Sequence, residues 1–259
     1  PFALVARTAT APPPDLVSSF HPTYNLAVNL VRRWTRSEAH DLLAASYGQW
    51  QAPPGSESLA AQLDRRLAIL EERGCIEGWR VTRTGQILAA VYHESDLLVT
   101  EALGEGLFDG LDPAHLAGVV SALTFEARRV ADGEVRPRPK VVAERLERLD
   151  GLTAGLRSDE RRVGLRRTRR PDGGLVRAVV AWARGATLDS ILTETEVAPG
   201  DFVRNIRQLI DLVRQLGQVA PDPGTRAAAQ LAVALLARGV VGADDPAGVG
   251  SAPDRPRRS

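Results

Sequence analysis

The chain has 259 residues, with 33 Lys+Arg against 32 Asp+Glu and a formal net charge of +1. That balance excludes nucleic-acid binding by whole-molecule charge and leaves only local patches for it. The single cysteine, Cys75, excludes a disulfide framework and a cysteine metal cluster and fits a reducing cytoplasm.

Residues 1–17 end in Ala-Pro-Pro-Pro-Asp, extended backbone by their prolines. The opening PFALVARTA lacks a signal-peptide layout, and no apolar run approaches the length of a bilayer span. The absence of methionine predicts an N-terminally truncated fragment. A first helix is expected over about Thr23–Trp34. A second starts near Ser37 as N-cap and ends before Pro53-Pro54-Gly55, with Tyr47 and Trp50 expected as packing anchors near its end.

Leu59, Leu63, Leu67 and Leu70 recur at helical spacing, and Gly74 stops that helix. Ile76, a Glu77-Gly78 turn, Trp79-Arg80-Val81 and Thr82-x-x-Gly85 then read as two short strands and a helix, the layout of a winged-helix unit. Ser95 caps DLLVTEALGEG, and Asp112-Pro113 is a strong helix start. Leu116, Val119, Val120 and Leu123 line the helix that follows. Residues 130–140 alternate Arg and Pro and read as a loop.

Val142, Leu146 and Leu149 mark another helix. Residues 157–174 carry seven arginines and read as a helix end entering an exposed loop, either a phosphate-contacting arm or a soluble insertion. Leu175, Val179 and Trp182 mark a helix closed by Gly185. Thr187 caps a short one, and long helices follow over Asp201–Leu216 and Thr225–Val241. After Gly242 the Asp, Pro, Gly, Ser and Arg content reads as a disordered tail.

Catalytic signatures are missing. Lys140, the only lysine, lies between Pro139 and Val141, so no Gly-Lys-Ser/Thr phosphate loop exists, and no Asp-Glu-x-His run offers magnesium ligands. His21, His40, His93 and His115 are scattered and read as surface or capping residues. Cys75, beside an apolar isoleucine, reads as core.

The best candidate surface is DFVRNIRQLIDLVRQL. Phe202, Ile206, Leu209, Val213 and Leu216 form one stripe, and Arg204, Arg207, Gln208 and Arg214 fall opposite. Arginines so placed can pair with phosphates or stack on bases of a single strand; a solvated amphipathic face has the same pattern. Arg65 and Arg66 would serve a duplex-reading winged helix, although the unit shows no basic enrichment.

Four segments in order resemble the superfamily 2 DEAD/DEAH-box RNA helicases of the exosome-cofactor and HelY-like type. SSFHPTYNLAVNLV resembles the seam after the second RecA-like domain, with Leu26 where the family usually has methionine. ERGCIEGWRVTRTGQILAAVYHESDLLVTEAL resembles the winged helix leading into the C-terminal DSHCT domain. FDGLDPAHLAGVVSALTFEAR and VVAWARGATLDSILTETEVAPGDFVRNIRQLIDLVRQL are similar to two stretches of that domain.

The resemblance implies a mainly α fold. Residues 1–34 would be the end of the second RecA-like domain, 35–94 a connecting helix plus winged helix, 95–242 a ratchet-like DSHCT bundle and 243–259 a tail. It implies a non-catalytic, RNA-guiding part of an ATP-dependent 3′-to-5′ helicase. ATP and magnesium would belong to upstream motor domains, which with single-stranded RNA would be the partners, DNA being an open alternative. Arg204, Arg207, Gln208, Arg214 and Glu126 would face the strand, although Gln208 replaces a basic residue of some relatives and Ala127 a second acid. The inserted arch would fall near residues 51–58, where only a short loop stands. The rival readings are a free-standing winged-helix regulator of duplex DNA and a structural interaction domain.

Overall fold

The computed structural model describes residues 20–53, 55–127, 139–195 and 197–242. The expected tail, most of the Arg/Pro stretch and the first 19 residues lie outside them. The described chain is mainly helical, with one two-stranded hairpin.

Helix α1 (Tyr24–Arg33) starts at Thr23, whose side chain accepts from the Leu26 amide. Its buried face, Tyr24, Ala27, Val28 and Val31, packs on α4 (Leu59–Glu72) and the hairpin. Helix α2 (Arg36–Ala44) is capped by Thr35 and not by Ser37. Thr35 accepts from the Glu38 amide while the Glu38 carboxylate accepts from the Thr35 amide, a reciprocal box that Ser37 has no partner to form.

Tyr47 and Trp50 are not packing anchors. Helix α2 ends early, and Ser46 caps a separate one-turn helix, α3 (Tyr47–Trp50). The inward contact from that turn is made by Gln49, whose Oε1 accepts from the Leu59 amide at 2.7 Å. Tyr47 and Trp50 are left exposed, stacked on each other at 5.5 Å.

Ser58 caps α4 and Gly74, at φ 65°, ends it. Strands β1 (Ile76–Glu77) and β2 (Arg80–Val81) pair antiparallel, Ile76 opposite Val81. Thr82 then caps α5 (Arg83–Leu88) by accepting from the Gly85 amide. Gly85 sits against the chain below it: a Cβ there would lie 2.1 Å from the Cys75 carbonyl oxygen and 2.7 Å from Val81 Cγ1. No rotamer relieves a clash with a backbone oxygen. Gly85→Ala is expected to cost about 2–3 kcal/mol through forced backbone movement, read as a lowered urea midpoint at unchanged slope; a wild-type midpoint would contradict the close packing.

Cys75 is fully buried beneath this hairpin, and burial pushes its thiol up to about 12, which fits a core role. The paired asparagines of α1 have a plain purpose. Asn25 Nδ2 donates to the Leu88 and Val91 carbonyls, both at 3.0 Å, and Asn29 Nδ2 donates to Ala89 O at 3.1 Å. They tie α1 to carbonyls at and just beyond the end of α5, where helical partners run out; that of Leu88 also accepts from the Val91 amide at 3.1 Å.

Helix α6 (Asp96–Gly104) follows Ser95, whose side chain makes no cap bond. Helix α7 (Pro113–Thr124) is capped by Asp112, which accepts from the amides of Ala114 and His115. It is buried on nearly every side, and α9 (Val176–Ala183), α11 (Pro199–Val219) and α12 (Pro223–Leu236) pack around it. Gly118 permits the closest of these approaches, since a Cβ would meet Val180 Cγ2 at 2.6 Å. Helix α8 (Lys140–Arg162) lies across α6 and α7, and α10 (Leu188–Glu194) is a short capped helix beside α9. The last helix is shorter than expected: α12 stops at Leu236, and a 3₁₀ turn over Gly239–Val241 follows.

A buried polar network fastens α1 to the bundle. Glu160, on α8, is 1% exposed. It accepts from Tyr24 Oη at 3.2 Å and from the Thr168 amide and hydroxyl at 2.6 Å each. The Arg66 guanidinium lies 5.8 Å from the Tyr24 ring centre. Asp96, equally buried, accepts from the Asn25 amide at 2.6 Å and the Leu97 amide at 2.8 Å.

Candidate nucleic-acid interface

Helix α11 opens with Pro199 in its first turn and Asp201 complementing the helix dipole. Phe202, Ile206, Leu209, Val213 and Leu216 are all buried, as the spacing predicts, joined by Ile210, Leu212 and Gly217. Phe202 meets Trp182 edge-on at 5.6 Å, which fixes α11 against α9. Arg204, Arg207, Gln208, Asp211, Arg214 and Gln218 are exposed on the opposite face.

Arg204 pairs with Asp201 at 2.8 Å and Arg214 with Asp211 at 3.4 Å. Exposed pairs three residues apart contribute about 0.5 kcal/mol or less. They hold the guanidiniums in place and yield readily to a phosphate, whose bidentate bonds to arginine are stronger.

The fifth expected residue, Glu126, is exposed just beyond Phe125, the C-cap of α7. Its segment is pinned from two sides. The Ala127 amide donates to Asp172 Oδ2 at 2.8 Å, and Arg169 donates to the Leu123 and Phe125 carbonyls while pairing with Glu94 at 2.8 Å. Two residues before Glu94, the Tyr92 amide donates to Gln215 Oε1 of α11 at 2.7 Å. The stretch 92–94 thus bridges α11 and the Glu126 segment. Sequence reading missed Gln215, Tyr92 and Arg169, because these contacts join residues 44 to 123 positions apart.

Other basic candidates are spent on structure. Arg66 is 5% exposed and donates to Gln62 O. Arg65 donates to the Val163 and Gly164 carbonyls and pairs with Glu57 at 2.6 Å. Neither is presented to a duplex. Within the Arg157–Arg170 cluster, Arg157 donates to Thr168 O, Arg162 pairs with Glu72 and Arg169 is committed as described. Arg157 ties the loop after α8 back to that helix, Arg169 fastens it to the end of α7, and Arg162 joins α8 to α4; Arg161, Arg166, Arg167 and Arg170 are exposed.

His40 lies 3.1 Å from Asp64 and His115 2.6 Å from Asp112, and no group of three His, Cys, Asp or Glu suited to a metal occurs among the described residues. No described helix is long and apolar enough to cross a membrane.

Residues 78–244 match the DSHCT (NUC185) domain family, and the chain belongs to that family. It is 39% identical over 213 residues to the probable helicase HelY of Mycobacterium leprae, covering 76% of this chain and 23% of that protein. It is 25% identical over 165 residues to the ATP-dependent RNA helicase mtr4 of Schizosaccharomyces pombe, covering 61% of this chain and 15% of that protein. Human Superkiller complex protein 2 is 23% identical over 191 residues, covering 71% of this chain and 15% of that protein. The chain therefore spans about a quarter or less of the length of these relatives and is a DSHCT region of the helicase C-terminal type.

Proposed function

We propose that this chain is the strand-guiding C-terminal part of an ATP-dependent 3′-to-5′ RNA helicase that works in the cytoplasm. On this reading, ATP and magnesium are handled by upstream RecA-like domains of the same polypeptide, and residues 1–34 lead from the second of them. The helix–hairpin–helix unit over 59–88 is a winged helix acting as a rigid spacer. The bundle from residue 95 onward presents α11 to a single strand of RNA, and this chain takes no chemical part in hydrolysis.

The observation that carries the proposal is the exposed face of α11, where Arg204, Arg207, Gln208 and Arg214 stand on a helix held rigid by its buried side. Guanidiniums along one stripe suit a phosphate backbone, and their planes also stack on bases. The duplex-reading alternative is disfavoured by the internal commitments of Arg65 and Arg66.

Fluorescence anisotropy with a labelled single-stranded RNA and a matching duplex tests the proposal. The wild-type chain is expected to prefer the single strand, with affinity falling as salt rises. Arg204→Ala/Arg207→Ala is expected to weaken single-strand binding by about tenfold or more, as loss of two charge-assisted contacts implies. Binding that the double variant leaves intact, or loses equally on duplex, would make this face a solvated one.

A further inference from the structure

We propose that Tyr92 is a base-stacking platform for the same single strand, seated at the C-terminal end of the polar stripe of α11 and positioned there by Gln215. The inference rests on the reading of α11 as the strand-contacting helix and adds a contact of a different kind. Arginines along a stripe recognise phosphates; an aromatic ring recognises the bases, and does so without regard to sequence.

An exposed tyrosine means little alone. What distinguishes this one is its mounting. Tyr92 is 69% exposed, yet the backbone beneath it is fixed from two directions. Val91, fully buried, has its carbonyl held by Asn25 Nδ2 at 3.0 Å, and the Tyr92 amide is held by Gln215 Oε1 at 2.7 Å. Two residues later, Glu94 is tied through Arg169 to the Phe125 carbonyl, beside Glu126. The ring therefore projects from a rigid strut between the two strand-facing elements.

The register also fits. At about 100° per residue, Gln215 falls within roughly 40° of Arg204, Gln208 and Asp211, on one stripe of the helix. At about 1.5 Å per residue, Gln215 lies about 16 Å along the axis from Arg204 and about 10 Å beyond Gln208. The second distance matches about three stacked nucleotides at about 3.4 Å each. A strand whose phosphates meet Arg204 and Arg207 thus brings a base to the level of Tyr92 within a few nucleotides.

The test uses the whole chain and two labelled strands of equal length, one of oligouridine and one an abasic sugar–phosphate chain, titrated by anisotropy at several salt concentrations. Tyr92→Ala is expected to weaken oligouridine binding about tenfold, to leave the abasic strand unaffected and to keep the salt slope of wild type. Tyr92→Phe, which retains the ring, is expected to bind like wild type, and Gln215→Ala to fall between the two. Arg204→Ala/Arg207→Ala should instead weaken both strands and reduce the slope by about 1.4.

Wild-type oligouridine binding by Tyr92→Ala, or an equal loss on both strands, overturns the stacking role. If the arginine variant still responds as described, the reading of α11 survives that result. If the wild-type chain binds neither strand, or the arginine variant loses nothing, the reading of α11 fails and the stacking role falls with it.

Discussion

Glu160→Ala is expected to destabilise the chain by about 3–5 kcal/mol, because loss of this buried acceptor leaves its hydrogen-bond donors unsatisfied. The carboxylate is 1% exposed and accepts three hydrogen bonds, from Tyr24 Oη and from the amide and hydroxyl of Thr168. Truncation leaves the buried Tyr24 hydroxyl and the half-buried Thr168 amide and hydroxyl without this acceptor, at about 1–3 kcal/mol for each that finds no new partner. It also removes one of the carboxylates whose charge supports that of Arg66, which burial already works against. The loss should fall on the attachment of α1, since Tyr24 is that helix's link to α8. Urea unfolding measures the total, and amide exchange in α1 locates it; a loss below about 1 kcal/mol would show that water replaces the carboxylate. Glu160→Gln, which keeps one acceptor, should recover part of the difference.

Asp96 sets the second expectation, a pH dependence. Burial is the strongest influence on it and pushes its pKa up to about 7, against the pull of the Asn25 and Leu97 amides and of Arg66, with Glu160 adding to the rise. Unfolded aspartate titrates near 3.9. The folded state therefore holds the proton more tightly, and the stabilisation is present in full below about pH 4 and lost as pH rises through about 7. A shift of this size corresponds to a loss on the order of 4 kcal/mol across that window. Urea midpoints of wild type and Asp96→Asn, compared from pH 4 to 8, isolate the effect, since every other group titrates in both. Wild type should lose ground to the variant as pH rises; parallel profiles would mean that Asp96 ionises in the folded chain as it does in the unfolded one.

These two carboxylates show where sequence reading stops. Local signals were legible: the Asp112 and Thr187 caps, the Gly74 and Gly185 stops, and the split of α11 into a buried stripe and an arginine face. Each depends on residues within a turn or two of one another. Tyr47 and Trp50 misled because large aromatics usually anchor packing, whereas a break after Ala44 turned them outward together. The arginines misled in the same way. Nothing local separates Arg66, buried under Tyr24, from Arg207 on an open face; burial is decided by elements far away in the chain. The candidate interface was thus half readable: its arginine stripe follows from helical periodicity, while the strut of residues 92–94 exists only through tertiary contacts.

The tie between Tyr24 and Glu160 crosses 136 positions of sequence. A ribosome adding about 5–20 residues per second delivers the carboxylate roughly 7–27 s after the tyrosine. By then α4 and the hairpin have long been available, so the apolar face of α1 can settle on them early. The hydroxyl of Tyr24 and the guanidinium of Arg66 must wait in water until α8 is made. Assembly of the junction is therefore divided in time, with greasy surfaces meeting first and the polar latch closing only when the polypeptide has grown past residue 168.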